Sequence, residues 1–328
     1  MTRRKKQLVA VGAGLAALLG YVYFSDIVIP ASKVKFGPGI GMPDRAVIAH
    51  RGASYLAPEE TEPAYLLARD MGVDYLEMDL QRTKDHALIV LHDDTLERTT
   101  NVKEVFPGRE KDTIDKFTLA EIKQLDAGSW FNRANPDRAR AKYAGVKILT
   151  LEEVIAIAES GAKKPAIYIE TKSASRYPGY EKELVELLSR KGWLGKSRET
   201  ELPRVIFQSF YESSLQQLKA LAPEIPRVFL FGRDTVGKEG WGAFSKKVAE
   251  YASGIGPVAY LAWPWNLSKA HQAGLAVHPY TINNRWGFGL LAFFGANGFF
   301  TDRCDVLMRF YGRNLAAEPE SILARHGY

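Results

Sequence analysis

The chain has 328 residues, 46% of them apolar and 25% charged, the proportions of a globular protein and not of a disordered or fibrous one. Its formal charge of +6 and pI near 9.1 favour anionic ligands or an anionic surface without naming either. A lone cysteine, Cys304, excludes an internal disulfide, and the lack of zinc-finger spacing, arginine-rich tracts and RNA-stacking motifs argues against nucleic acid as a partner.

In chain order, residues 3–6 read Arg-Arg-Lys-Lys and residues 8–24 carry no charge. That run is at the short end of what spans a bilayer, ~17–25 residues. It closes on Tyr21, Tyr23 and Phe24, ring types that favour a membrane interface. Residues 1–26 are therefore predicted to form a cytoplasmic basic stub and one N-terminal transmembrane helix, with the rest of the chain outside the cytoplasm, periplasmic or extracellular. A cleaved signal peptide and a secreted chain are the alternative, with Ala31 as a weak cleavage candidate. Residues 27–44 contain Pro and Gly without periodicity and read as a linker.

From Arg45 onward, short apolar runs alternate with helical patterns. Strands are predicted at Val47–His50, Tyr75–Leu80, Ala87–His92, Ala166–Thr171, Val205–Ser209, Arg227–Phe231, Val258–Ala262, Ala276–Ile282 and Gly298–Thr301. Thr61 is positioned to cap a helix ending at Met71, with Gly72 after it. Thr118–Glu121 and Thr150–Glu153 are capping boxes. Leu215, Leu218 and Leu221 form one stripe stopped by Pro223, and Asn266 is expected to cap a helix ending at Gly274. About eight strand–helix units over residues 45–310 fit an α/β fold of the (β/α)8 TIM-barrel type, for which ~250 residues is typical. A doubly wound open sheet is the alternative, but no Gly-x-Gly-x-x-Gly follows any strand. One of the nine runs is surplus. The link from Leu80 to Leu88 is too short for a crossover helix, so Gln81–His86 is predicted as a hairpin turn that brings His92 beside Glu77 and Asp79. Residues 95–150 read as an insertion over the barrel mouth, with at least one packed helix on Phe117, Leu119, Ile122 and Leu125. Residues 311–328 are a C-terminal tail.

The chemistry concentrates between Val47 and Asp94. Two apolar runs end in a histidine, His50 and His92, and a third carries Glu77 and Asp79. Residues i and i+2 of a strand share a face, so these carboxylates repel unless a cation lies between them, and a hard divalent ion suits oxygen ligands. His50 and His92 could then act as acid and base. Taken alone, a Glu-x-Asp pair is a solvated strand face and a histidine after an apolar run is structural. Their coincidence within one short stretch favours a site.

The stretch resembles the glycerophosphodiester phosphodiesterase family. The resemblance rests on His50-Arg51-Gly52, Pro58-Glu59-Glu60-Thr61, Glu77-Met78-Asp79 and His92-Asp93 in that order, with Glu60 where the family usually has Asn. Further matches are Glu170-Thr171-Lys172, Phe207-Gln208-Ser209-Phe210, Tyr280-Thr281-Ile282-Asn283 and Phe300-Thr301-Asp302, so the likeness covers nearly all of residues 45–305. It implies that Glu77, Asp79 and Glu170 share one divalent cation. Ca2+ is favoured over Mg2+ because the domain is expected outside the cytoplasm. It also implies that Arg51 and Lys172 hold the phosphate, with Glu59, Gln208, Tyr280 and Asn283 in support. The attacking group in this family is often a neighbouring hydroxyl of the substrate, and the spacing does not say which histidine is the first base.

The expected activity is metal-dependent hydrolysis of small glycerophosphodiesters to an alcohol and sn-glycerol 3-phosphate. Lysophospholipase D or sphingomyelinase D-like action on membrane lipids is one alternative. A catalytically silent headgroup-binding protein is another, and it would be marked by loss of a histidine or carboxylate. Headgroup preference and oligomeric state are not readable. Trp130, Phe131, Trp263, Trp265 and Trp286 are candidates for a glycerol or acyl pocket, with plain core packing as the commoner role of such rings.

Overall fold

The structure, a computed structural model, describes residues 45–197 and 203–328; the uncharged run and the linker lie outside them. Among the described residues nine strands form one sheet: β1 (Ala46–Ala49), β2 (Tyr75–Arg82), β3 (Leu88–Val90), β4 (Ala166–Thr171), β5 (Val205–Ser209), β6 (Arg227–Phe231), β7 (Gly254–Pro257), β8 (Ala276–Val277) and β9 (Gly298–Thr301). Eight run parallel in the order β8-β7-β6-β5-β4-β2-β1-β9. The two ends meet through backbone bonds from Asn297 N–H to Val277 O (2.9 Å), Ile282 N–H to Phe300 O (3.0 Å) and Phe300 N–H to Pro279 O (3.2 Å). This is a TIM barrel. β3 is the surplus strand, antiparallel on β2 with Leu80 opposite Val90, so the predicted hairpin forms.

The helices that cover the barrel are α1 (Glu62–Met71), α2 (Leu151–Ser160), α3 (Tyr180–Arg190), α4 (Glu212–Leu221), α5 (Gly240–Ala249), α6 (Pro264–Gln272), α7 (Arg285–Phe294) and α8 (Cys304–Phe310). A further helix, α9 (Pro319–Arg325), packs on α1 and buries Ile322 and Leu323. Both predicted capping boxes form. Thr61 precedes α1, but its hydroxyl donates to Pro58 O at 2.6 Å instead of capping. None of the described helices is long and apolar enough to cross a membrane.

Three local expectations are corrected. The seventh strand is Gly254–Pro257, and Ala259–Leu261, expected in a strand, is a short 3-10 turn. The eighth strand stops at Val277, because Pro279 has no N–H for the ladder. The helix after β7 starts with Pro264 in its first turn and Trp263 as its cap; Asn266 lies inside it and donates to Leu261 O at 3.0 Å.

Alternation along the strands places the site. Ala46, Ile48, Tyr75, Tyr168, Ile206, Val228, Leu230 and Phe300 fill the barrel interior. The residues that alternate with them, among them Val47, Leu76, Ile167, Phe207 and Phe299, pack outward against the helices. Two steps further along each strand, the same inward parity reaches His50, Glu77, Asp79, Glu170, Gln208 and Asp302. The insertion carries its own small core, in which Ile89 and Leu91 beside the hairpin pack with Val102, Ile114, Phe117, Ile122 and Leu125. It docks on the loop after β1: Tyr143 Oη donates to Leu56 O at 3.0 Å, and the Arg138 guanidinium lies over the Tyr55 ring.

Candidate active site

Glu77, Asp79 and Glu170 stand on the neighbouring strands β2 and β4, with Asp79 level with Glu170. All three are buried, and each offers an oxygen within 4.8 Å of the others. Burial pushes the Glu170 carboxyl up to about 8, with the Asp79 charge adding to the shift. Burial likewise raises Glu77 well above the usual carboxylate range. Burial would also raise Asp79, but Lys172 and Arg51 outweigh it and hold that carboxyl low. Three converging carboxylates with no sulfur or nitrogen ligand are a donor set for a hard divalent cation, and their mutual repulsion is what such an ion would relieve. In the structure two side chains partly meet that charge. Lys172 Nζ lies 3.0 Å from Glu170 and 3.6 Å from Asp79, and Arg51 Nε lies 3.0 Å from Asp79.

The Glu77 carboxylate and the Asp79 backbone are held from behind. Glu77 accepts the Arg51 backbone N–H and the Gln208 amide, both at 2.8 Å. Glu60, the residue where the family usually has Asn, is buried with a positive φ of 57°, and its Oε1 accepts the Asp79 N–H at 2.7 Å. Burial raises its carboxyl well above the ordinary range. Glu59 accepts from Arg51 Nη1 at 3.0 Å and from Arg98 Nη1 and Nη2 at 3.0 and 2.7 Å.

The two histidines are built alike. His50 Nδ1 lies 2.7 Å from Asp302 Oδ1, and His92 Nδ1 lies 2.6 Å from Asp93 Oδ1. Burial would raise Asp302, yet the His50 hydrogen bond keeps it below its usual value; Asp93 is held low in the same way by His92 and Arg98. Each carboxylate can only accept, so Nδ1 carries the proton and Nε2 is left for chemistry. Asn283 belongs to this support, since its amide donates to Asp302 Oδ2 at 2.6 Å and its oxygen accepts the Asp302 N–H at 2.9 Å. Tyr280 donates to Phe231 O at 3.2 Å and lines the cavity with Phe210.

A cavity of about 80 Å³ is lined by His50, Arg51, Glu77, His92, Glu170 and Tyr280, among others. An adjoining one of about 410 Å³ is lined by His92, Asp93, Asp94, Lys172, Phe210 and Tyr211 and also touches Glu170. The predicted residues therefore converge, with Glu59 and Asn283 one layer back. Asp302, Asp93 and Arg98 were missed as functional residues. For Asp93 the signal was its place directly after His92; for Asp302 it was the end of the last strand. The aromatic pocket candidates line neither of these two cavities. Phe131 is core, Trp130 packs against it, and Trp263, Trp265 and Trp286 are exposed on the outside.

The turn that sets Arg51 depends on Gly52, whose φ is +80° and whose added Cβ would lie 2.8 Å from the Ala64 carbonyl. Gly52→Ala should lower stability by about 2–4 kcal/mol through backbone strain and overpacking. The urea midpoint reads this directly, and an unchanged midpoint would show that the turn can open without strain.

A closed barrel with three buried acids, two clamped histidines and two cations at its strand ends is an enzyme site for an anionic substrate. Residues 50–306 match the Glycerophosphoryl diester phosphodiesterase family. The chain is 39% identical over 304 residues to a glycerophosphodiester phosphodiesterase of Bacillus subtilis, covering 92% of this chain and 97% of that one. It is similar to the structure of an Oleispira antarctica phosphodiesterase in complex with the product sn-glycerol-3-phosphate (TM-score 0.65, 26% identity, 82% and 97% of the two chains). A structure from Silicibacter pomeroyi shares the fold (TM-score 0.69, 24% identity, 83% and 96%). The chain belongs to the glycerophosphodiester phosphodiesterase family and is a phosphoric diester hydrolase.

Proposed function

We propose that the protein hydrolyses glycerophosphodiesters to an alcohol and sn-glycerol 3-phosphate by His50–His92 acid–base catalysis, with Glu77, Asp79 and Glu170 holding one divalent cation, Ca2+ before Mg2+. The observation that carries this reading is the pairing of each histidine with a carboxylate at Nδ1 while both line one cavity with Glu77 and Glu170. When bound, the cation would draw charge from the phosphate oxygens. Arg51 and Lys172 bring positive charge to the same cavities. Burial pulls the Lys172 pKa down, but Asp79 and Glu170 outweigh it and raise it above the ordinary lysine value. One histidine takes the proton of the attacking hydroxyl. As the bond from phosphorus to the departing oxygen breaks, the other histidine gives that oxygen a proton from Nε2, leaving a cyclic phosphate that water then opens to sn-glycerol 3-phosphate with the two histidines in exchanged roles. His92 borders both cavities and His50 only the smaller. The alcohol therefore leaves into the larger one, with His92 as its acid.

We further propose that residues 1–26 anchor the chain, leaving the barrel outside the cytoplasm; the basic flank and uncharged run support this. Action on lysophospholipids is the second reading, favoured by that anchor. The test is hydrolysis of glycerophosphocholine and lysophosphatidylcholine by the purified chain, with excess chelator and then with Ca2+ or Mg2+ added back. Chelation should abolish turnover and the ion restore it. Full activity in chelator would remove the cation from the mechanism.

A further inference from the structure

Arg98 is the point where the insertion reaches the catalytic groups. Two residues before it, Leu96 is fully buried in the insertion's own core, and Thr100 Oγ1 donates to Leu96 O across the turn that carries the arginine. The Trp130 ring, fixed by its indole N–H on Ala127 O at 2.9 Å, lies 5.8 Å from the guanidinium. Arg98 is 42% exposed, but it stands on a packed base. From there its guanidinium makes two forks. Nε and Nη2 donate to Asp93 Oδ2 and Oδ1 at 2.6 and 3.0 Å. Nη1 and Nη2 donate to Glu59 Oε2 and Oε1 at 3.0 and 2.7 Å. Burial would raise Glu59, but its bonds to Arg98 and the charge of Arg51 hold it below its usual value, so the fork ends on a charged acceptor.

Each of these carboxylates also holds a group of the reaction. Asp93 Oδ1 takes His92 Nδ1 at 2.6 Å, and Glu59 Oε1 takes Arg51 Nη1 at 3.0 Å. One guanidinium therefore joins the clamp on a histidine to the brace on the phosphate-binding arginine. The backbone after β3 does not depend on it, since the buried Gln81 amide donates to Leu91 O at 2.9 Å and to Asp93 O at 2.6 Å. What Arg98 fixes is the turn of the Asp93 carboxylate about its Cβ–Cγ bond, a soft torsion when one oxygen alone is bonded. His92 would follow that turn. The other clamp is braced differently: Asp302 Oδ1 takes Ser54 Oγ at 3.1 Å and its Oδ2 takes the Asn283 amide at 2.6 Å. His92 answers to the insertion and His50 does not.

We propose that Arg98 is a positioning residue through which the insertion aims His92 for proton transfer and braces Arg51 for phosphate binding. The catalytic consequence rests on the acid–base reading given above; the aim of the His92 ring does not. Two forks need a planar guanidinium, so a lysine, with its donors on one atom, keeps the charge and loses the function. Partly exposed ion pairs add little to folding, so Arg98→Gln and Arg98→Lys should each melt within about 3 °C of wild type.

The test has a kinetic and a spectroscopic arm, both on the purified full chain. With glycerophosphocholine, Arg98→Gln and Arg98→Lys should each lower kcat by about 10–100-fold, the usual cost of losing a group that orients a functional one, and raise KM a few-fold through Arg51. Release of nitrophenol from a glycerol nitrophenyl phosphate should slow at most a few-fold in kcat, because that leaving group needs little acid. Arg98→Gln should cost no further kcat once His92→Ala is present. In the second arm the histidines carry ¹⁵N, and two-bond proton–nitrogen correlations read the tautomer of each neutral ring, assigned by its loss in His50→Ala and His92→Ala. Wild type should hold both rings with the proton on Nδ1, and Arg98→Gln should release His92 to a mixture while leaving His50 unchanged. Wild-type kinetics in Arg98→Lys overturn the proposal, as does an equal loss with the nitrophenyl diester or a loss that multiplies with His92→Ala. So does an Arg98→Gln spectrum in which neither ring changes, or in which both do. If His92 alone is released while turnover of glycerophosphocholine is unmoved, the positioning stands and the acid–base reading of His92 falls.

Discussion

Glu77→Gln should reduce kcat/KM by about 10³-fold or more, because it removes one of three carboxylates from a site asked to supply several kcal/mol of charge stabilisation. The substitution keeps the shape of a fully buried side chain. One oxygen still accepts the Arg51 N–H, as Glu77 Oε2 does now at 2.8 Å. Gln208 can reverse its amide to accept from the new NH2, since its own Oε1 has no hydrogen-bond partner. The fold should therefore survive while the cation does not bind. Ca2+ should raise the melting temperature of wild type, as any ligand of the native state does, and leave that of Glu77→Gln unmoved. Equal thermal shifts in the two proteins would place the ion elsewhere.

His50→Ala and His92→Ala should each lower kcat by about 10²–10⁴-fold, the usual contribution of a general acid or base. Substrate binding should change far less, because Arg51, Lys172 and the acids remain. The two losses should not multiply in the double variant, since groups that act as one unit are strongly non-additive. A nitrophenol leaving group needs little protonation, so it should rescue His92→Ala and not His50→Ala. Rescue of His50→Ala instead would exchange their roles. If neither variant loses more than a few-fold on a natural diester, the carboxylate clamps hold structural histidines and the mechanism fails.

Much of the site was legible because strand geometry is simple. Spacing of two residues put Glu77 with Asp79 and Glu170 with Lys172 on the inner face, and the short link after Leu80 required the hairpin. β7 was misplaced because its residues, Gly254-Ile255-Gly256-Pro257, lack a strand's usual bulk. The structure gives the reason: a Cβ on Gly256 would lie 2.4 Å from Leu230 Cδ2 inside the barrel. Glycine there answers to packing against another strand, which no local pattern reports. Asp302 was passed over for a similar reason, since its partner His50 is 252 residues away in sequence.

That last contact has a consequence for how the enzyme comes into being. β9 lies directly beside β1, and the His50 N–H donates to Thr301 O at 3.0 Å just before the side chain meets Asp302. The first functional residue of the barrel is thus oriented by one of the last. A nascent chain carries His50 from early in synthesis, yet lacks the carboxylate that aims it until β9 has emerged and zipped onto β1. On the proposed mechanism, hydrolysis would wait for the seam that joins the two ends of the domain.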